Sequence, residues 1–140
     1  MSDKEGIREK LIRYRTLESR INALTSRRNL LVAKMLEIEN TLNSIDEIEK
    51  NQEKEILIPI GSNVHVPGKL RRIDKIIVEL GANVAIENSV EEAKQILVKR
   101  KKILENGLMV LEKEIVKLSN EMLKLEPEIR DLIEKARRSR

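Results

Sequence analysis

The middle of the chain contains the segments ILIPIGSNVHV, residues 56–66, and IIVELGANVAIE, residues 76–87. Each segment places Ile- and Val-rich runs on both sides of a Gly, which is the pattern of a β-hairpin. We therefore expect two hairpins within residues 55–88. Gly61 and Gly81 each stand first in a possible two-residue loop, which predicts type II′ turns.

The predicted hairpins have more apolar surface than they can bury by themselves. The two faces of the first hairpin are expected to carry Ile56, Ile58 and Ile60 on one side, and Leu57, Val64 and Val66 on the other. An isolated hairpin is barely stable in water, and its open edges invite pairing with other chains. We therefore predict an oligomerisation module, formed by Ile56, Ile58, Ile60, Val64, Val66, Ile76, Val78, Leu80, Val84 and Ile86.

The segment before the hairpins, residues 7–50, has the spacing of a coiled coil, with apolar residues alternately three and four positions apart. The predicted seam is Ile7, Lys10, Tyr14, Leu17, Ile21, Leu24, Arg28, Leu31, Met35, Ile38, Leu42 and Ile45. Only Lys10 and Arg28 interrupt the apolar pattern. Because the segment contains no Pro, we predict one uninterrupted helix.

A second helix is predicted for residues 90–138, where Ser89 and Glu92 have the spacing of a capping box. Its seam is Val90, Lys94, Leu97, Lys101, Leu104, Leu108, Leu111, Ile115, Leu118, Met122, Leu125, Ile129, Leu132 and Ala136. Pro127 falls on the outer face and should bend or loosen the helix near Leu123, because it lacks a backbone donor and crowds the preceding turn.

Two long seams joined by a short middle segment can pair only if the chain turns back on itself. The predicted fold class is therefore α+β, mainly α: a long antiparallel coiled-coil hairpin with two β-hairpins between its helices, in one domain of residues 1–140. At about 1.5 Å per residue each helix would be roughly 65 Å long. The start of the first helix would then lie beside the end of the second.

The composition argues against catalysis and against metal or cofactor binding. The chain has no Cys and one His, which excludes disulfides and metal sites built from Cys or from several His residues. His65 has no candidate nucleophile nearby in sequence, and no Walker-type Lys-Ser/Thr follows Gly61 or Gly81. No apolar run reaches about 18 residues, and residues 1–6 are polar, so we expect a cytoplasmic protein without membrane partners.

Two other functions are compatible with this pattern. A structural coiled-coil tether or spacer would use the same seam to hold folded partners apart. The basic clusters at residues 99–102 and 137–140 could contact nucleic acid. However, 28 basic and 24 acidic residues, giving a net charge of +4, are more typical of solvated helix surfaces.

The order helix, two hairpins, helix resembles the prefoldin α family. The resemblance rests on IPIG at residues 58–61, DKIIVELGA at 74–82, VAIE at 84–87, EEA at 91–93 and LEP at 125–127. It implies a hexamer of two α-type and four β-type subunits, with β segments forming barrels at its base. It also implies an ATP-independent chaperone that captures unfolded clients at the coiled-coil tips and delivers them to a group II chaperonin.

The resemblance directs attention to the ends of the two helices that would form such a tip. Three apolar residues there lie off the seam and are expected to be exposed, namely Leu11, Ile12 and Ile133. The predicted client-binding residues are Ile7, Leu11, Ile12, Tyr14, Ile129, Leu132 and Ile133. Four of these residues, Ile7, Tyr14, Ile129 and Leu132, could simply complete the seam. Off-seam apolar residues also occur elsewhere on the helices, where they could line a cavity or contact neighbouring helices.

Overall fold

The computed structural model describes residues 2–139. Helix α1 spans Asp3–Lys50 and helix α2 spans Val90–Arg138, with four strands between them. The strands are β1, Glu55–Gly61; β2, Val64–Lys69; β3, Ile76–Gly81; and β4, Val84–Asn88. The element order and the two antiparallel hairpins confirm the predicted fold class. The chain divides into two compact units: residues up to Ala33 with those from Leu104 onward, and residues Lys34–Ile103.

In the first unit, the two helices pack antiparallel along the predicted seam. The core contains Leu17, Leu118, Leu125 and Ile129, which are between 2% and 9% exposed. Ion pairs join Arg13 to Glu121 at 3.5 Å and Arg20 to Glu114 at 3.8 Å. Higher residue numbers in α1 therefore face lower residue numbers in α2, as antiparallel helices require. Gly6 lies opposite Leu132, and a Cβ added there would stand 3.9 Å from its Cδ1.

The seam of the first unit yields a quantitative expectation. Leu118→Ala should lower the free energy of unfolding by about 2–5 kcal/mol, because it removes most of a side chain that is 2% exposed and leaves a cavity. Val116→Ala is the matched control, since Val116 is 59% exposed, and should change stability by less than about 0.5 kcal/mol. Thermal unfolding followed by circular dichroism measures both. Equal midpoints for the two variants would contradict this seam.

In the second unit, charged side chains are part of the seam. Lys94 lies 2.9 Å from a carboxylate oxygen of Asp46 and 2.6 Å from one of Glu49, while Lys101 lies 3.2 Å from Glu39. Hydrogen bonds to Glu49 and then Asp46 raise the pKa of Lys94. Lys94 and Lys101, which interrupt the apolar pattern of α2, therefore form ion pairs with α1. These pairs favour one register between the two helices.

The start of α2 has the predicted capping box. The Ser89 hydroxyl accepts the backbone N–H of Glu92 at 3.1 Å, and the Glu92 carboxylate accepts the N–H of Ser89 at 3.4 Å. The helix then runs to Arg138 without a break at Pro127. Loosening near Leu123 stays a prediction.

The hairpin turns differ from the predicted type II′. Positive φ angles occur at Ser62 (46°) and Asn63 (63°), and likewise at Ala82 (50°) and Asn83 (61°). Two consecutive positive φ angles in the loop define a type I′ turn. The glycine precedes the loop in both hairpins, where φ is 122° at residue 61 and 100° at residue 81, values that favour glycine.

This shift of the turn changes the faces of the first hairpin. Ile58 pairs with Val66 and Pro59 with His65, and the register shifts between residues 59 and 61. Val66 and Val64 therefore share the face of Ile58, whereas the prediction put them with Leu57. The prediction was wrong because moving the pairing by one residue reverses which face each side chain occupies.

Candidate interaction surfaces

One face of the second hairpin is buried at Val78 and Asn88 in the single chain. Val78 pairs with Ile86, and Ile76 pairs with Asn88. Val78 is 9% exposed and Asn88 is 8% exposed, whereas Ile77 on the opposite face is 67% exposed. Arg100 of α2 donates a hydrogen bond to the backbone oxygen of Glu79 at 2.8 Å, which attaches β3 to the helix.

The remaining predicted oligomerisation residues are mostly open to solvent in the single chain. Ile56 and Ile76 are half-buried, and Val78 is buried. The exposed members are Ile58, Ile60, Val64, Val66, Leu80, Val84 and Ile86, with exposed fractions of 40–65%. Contiguous exposed apolar side chains mark interaction surfaces, and each hairpin is only two strands wide. We call this set, together with Ile56, Ile76 and Val78, the hairpin surface.

The predicted client-binding residues all lie in the first unit, but at different depths. Ile129 belongs to the core, and Ile7, Tyr14 and Leu132 are half-buried in the seam. The expected exposure of the other three is confirmed, at 38% for Leu11, 56% for Ile12 and 38% for Ile133. We call these three residues the tip surface.

A shallow groove lies between the tip surface and the seam. Leu11, Tyr14 and Ile129 provide its apolar lining, and Glu126 and Arg130 border it. The Tyr14 hydroxyl donates a hydrogen bond to the Glu126 carboxylate at 3.0 Å, which raises the pKa of the tyrosine. The only aromatic side chain of the protein is thus anchored at its polar end, with its ring against the core.

The basic cluster at residues 99–102 is partly occupied by contacts within the chain. Arg100 bonds the β3 backbone and Lys101 pairs with Glu39. At the end of α2, Arg138 pairs with Glu134 at 3.0 Å. Because these cations already have partners, the clusters offer fewer free charges to a nucleic acid than the sequence indicates.

The structure gives little that resembles a catalytic or metal centre. His65 is exposed on β2, opposite Pro59. Across residues 2–139, no three or more Asp, Glu or His side chains cluster in a way that could hold a metal ion. Within the same residues, neither helix has a stretch apolar and long enough to span a bilayer.

Sequence reasoning missed one feature of the first unit, which is the set of cations on the outer face of α1. Lys4, Arg8 and Arg15 line a groove whose apolar part includes Ile12. Their spacing of four and seven residues places them on one side of a helix. That spacing could have revealed the set, but it does not tell which cations are paired with carboxylates.

The arrangement defines a class of protein: two long antiparallel helices with coiled-coil spacing, joined through two β-hairpins that leave apolar side chains exposed. A family model described as prefoldin subunit matches residues 17–135. The chain belongs to the prefoldin family.

Relatives and a solved structure agree with this assignment. Prefoldin subunit alpha of Methanosarcina acetivorans is 30% identical over 109 residues, covering 72% of this chain and 77% of the relative. Prefoldin subunit alpha of Methanobrevibacter smithii is 29% identical over 79 residues, covering 56% of this chain. The match spans only 54% of that relative's length.

The cryo-EM structure of filamentous PFD from Methanocaldococcus jannaschii superposes with a TM-score of 0.73 at 26% identity. The superposition covers 83% of this chain and 97% of that one.

Proposed function

We propose that the chain is the α-type subunit of a prefoldin and works as an ATP-independent chaperone in the cytoplasm. In this role it captures unfolded polypeptides at the tip surface and passes them to a group II chaperonin. No catalytic step, cofactor, nucleic acid or membrane takes part. The observation that carries the proposal is the pair of separate apolar surfaces, one on the hairpins and one at the helix ends.

The hairpin surface supports assembly as the first half of the proposal. Burial of apolar surface is the main favourable contribution when subunits associate, and it stabilises the complex by about 25 cal/mol for each Å² buried. The exposed side chains of β1 and β2, including Ile58 and Val66, offer that area beside unpaired strand edges. We propose that two α-type and four β-type subunits join there, and that their strands form the barrel base of a hexamer.

The tip surface supports client capture as the second half. Unfolded clients share exposed apolar area and no common sequence, so a general holder needs exposed apolar side chains of its own. Leu11 and Ile12 stand between Arg8 and Arg13, and Ile133 stands beside Glu134. These charges keep the surface hydrated between clients. Several weak contacts from different subunits would then add by avidity.

The assembly half is tested by native mass spectrometry. Mixed with a β-type partner, the chain should give one hexameric species with two α-type and four β-type subunits. The chain alone serves as the control and should give smaller or heterogeneous species. A stable, monodisperse monomer in the presence of the partner would contradict the proposal.

A further inference from the structure

A basic groove runs along α1 in the first unit, from the edge of the seam at Ile7 to Arg20. Its first part is lined by Lys4, Ile7, Arg8, Leu11, Ile12 and Arg15. Its second part is lined by Ile12, Arg15, Thr16, Ser19 and Arg20. Every charged side chain that lines either part is a cation.

Three of the four cations that line the groove have no ion-pair partner among residues 2–139. Arg20 pairs with Glu114 at 3.8 Å. Lys4, Arg8 and Arg15 form no ion pair within residues 2–139, and all three are exposed. The groove therefore presents three free positive charges around an apolar lining.

The cations of α1 that face α2 are engaged differently. Lys10 pairs with Glu128, and Arg13 pairs with Glu121. The exposed carboxylates on this part of α1 are Glu5, Glu9 and Glu18, and none of them lines the groove. The cations of α1 that face α2 are thus paired with carboxylates of α2, whereas Lys4, Arg8 and Arg15 have no ion-pair partner among residues 2–139.

We propose that the basic groove, whose charges are Lys4, Arg8 and Arg15, binds unfolded segments in which apolar residues are flanked by Asp or Glu. Segments flanked by Lys or Arg would be disfavoured, because like charges brought together repel. The inference rests on the proposed chaperone function and deepens it, since it gives the tip a charge preference among unfolded clients.

The positive charge of the basic groove and its apolar lining together determine which unfolded segments bind there. The apolar lining of Ile7, Leu11 and Ile12 takes up the apolar side chains of the client, which any unfolded chain can supply. Exposed ion pairs contribute little one by one, so discrimination requires the three cations to act together. We expect an affinity difference on the order of tenfold between acidic-flanked and basic-flanked segments at physiological salt.

Peptide binding to the assembled complex tests this inference. Three labelled peptides share the same apolar residues and length, and their flanking positions are all Asp, all Ser or all Lys. Fluorescence anisotropy should rank their affinities as Asp, then Ser, then Lys. The variant Lys4→Glu/Arg8→Glu/Arg15→Glu should reverse the ranking. About 0.5 M salt should remove most of the difference, because it shortens the Debye length to a few ångströms.

A matched variant controls for net charge. Arg27→Glu/Lys113→Glu/Lys117→Glu makes the same charge change at exposed positions of the first unit that do not line either part of the groove. It should leave the ranking of the three peptides as in the unmodified complex. A reversal in this control as well would assign the preference to overall charge and overturn the inference.

The remaining outcomes separate this inference from the proposed function. Equal affinities for all three peptides, with aggregation of a client still suppressed, would overturn the charge preference and leave the chaperone role. Failure to bind any peptide or to suppress aggregation would contradict the chaperone role itself. An altered subunit count in the groove variant, with the peptide ranking unchanged, would make the groove a contact between subunits and overturn the inference.

Discussion

Val78→Asp should abolish assembly with β-type subunits while the two long helices remain helical. Val78 is 9% exposed and pairs with Ile86 on the partly buried face of the second hairpin. An ionised carboxylate at this position would lose its hydration without gaining a partner, which costs more than the roughly 2–7 kcal/mol of an unpaired neutral polar group. The strands would then no longer present an ordered surface for neighbouring subunits.

Ile77→Asp is the matched control for this prediction. It places the same carboxylate on the adjacent residue of β3, where the side chain is 67% exposed and points to the opposite face. Native mass spectrometry should show no hexamer for Val78→Asp, with the helical signal in circular dichroism retained. If Val78→Asp forms the hexamer as well as the unmodified chain does, the hairpins are not the assembly surface. If only Ile77→Asp fails, the assembly face is the opposite one.

The helical part of this fold could be predicted from the sequence because its determinants are local and periodic. Each predicted seam position is buried or half-buried, from Leu17 in α1 to Leu118 in α2. The exposure of Leu11, Ile12 and Ile133 follows from the same periodicity, since off-seam positions of a two-helix coiled coil face solvent.

The turn geometry could not be predicted in this way because glycine suits both alternatives. In a type II′ turn the first loop residue has a positive φ, and in the observed turn the residue just before the loop has one. Glycine adopts a positive φ readily, so Gly61 is compatible with both. The observed turn puts Ala82 at a φ of 50°, which its side chain disfavours. The choice depends instead on strand twist and on the register shift before the loop, which are properties of the paired strands.

The sequence also could not predict which cations near the helix ends are paired with carboxylates. Lys10 and Arg8 are two residues apart, yet Lys10 has a carboxylate partner on α2 and Arg8 has none among the described residues. Which cation is neutralised depends on the register of two segments more than 100 positions apart, since Lys10 meets Glu128. Composition alone therefore describes the surface as balanced, whereas the structure leaves one groove basic.

The second large effect is expected at the helix ends. Removing residues 1–12 and 128–140 should leave the hexamer intact and abolish its protection of an aggregating client. The deletion spares the hairpin surface and most of the core, but it removes the core residue Ile129 together with the tip surface. A finer variant, Leu11→Ser/Ile12→Ser/Ile133→Ser, removes only exposed apolar side chains and should also lose most of the protection.

A matched variant distinguishes the tip from exposed apolar side chains in general. Leu30→Ser/Val116→Ser/Leu123→Ser alters three residues of the same unit that are 59–64% exposed, and it leaves the tip surface unchanged. The number of apolar side chains removed is the same in both variants. Protection should remain close to that of the unmodified complex, because Leu11, Ile12 and Ile133 are still available to the client.

Capture at the tip surface is tested most directly by light scattering from a chemically unfolded client diluted into buffer with each complex at equal concentration. The unmodified complex and the Leu30/Val116/Leu123 variant should suppress scattering. The Leu11/Ile12/Ile133 variant should let the client aggregate nearly as it does alone, while its hexamer mass is unchanged. Full suppression by that variant would contradict capture at the tip surface and would move the client site to the other exposed side chains of the helices.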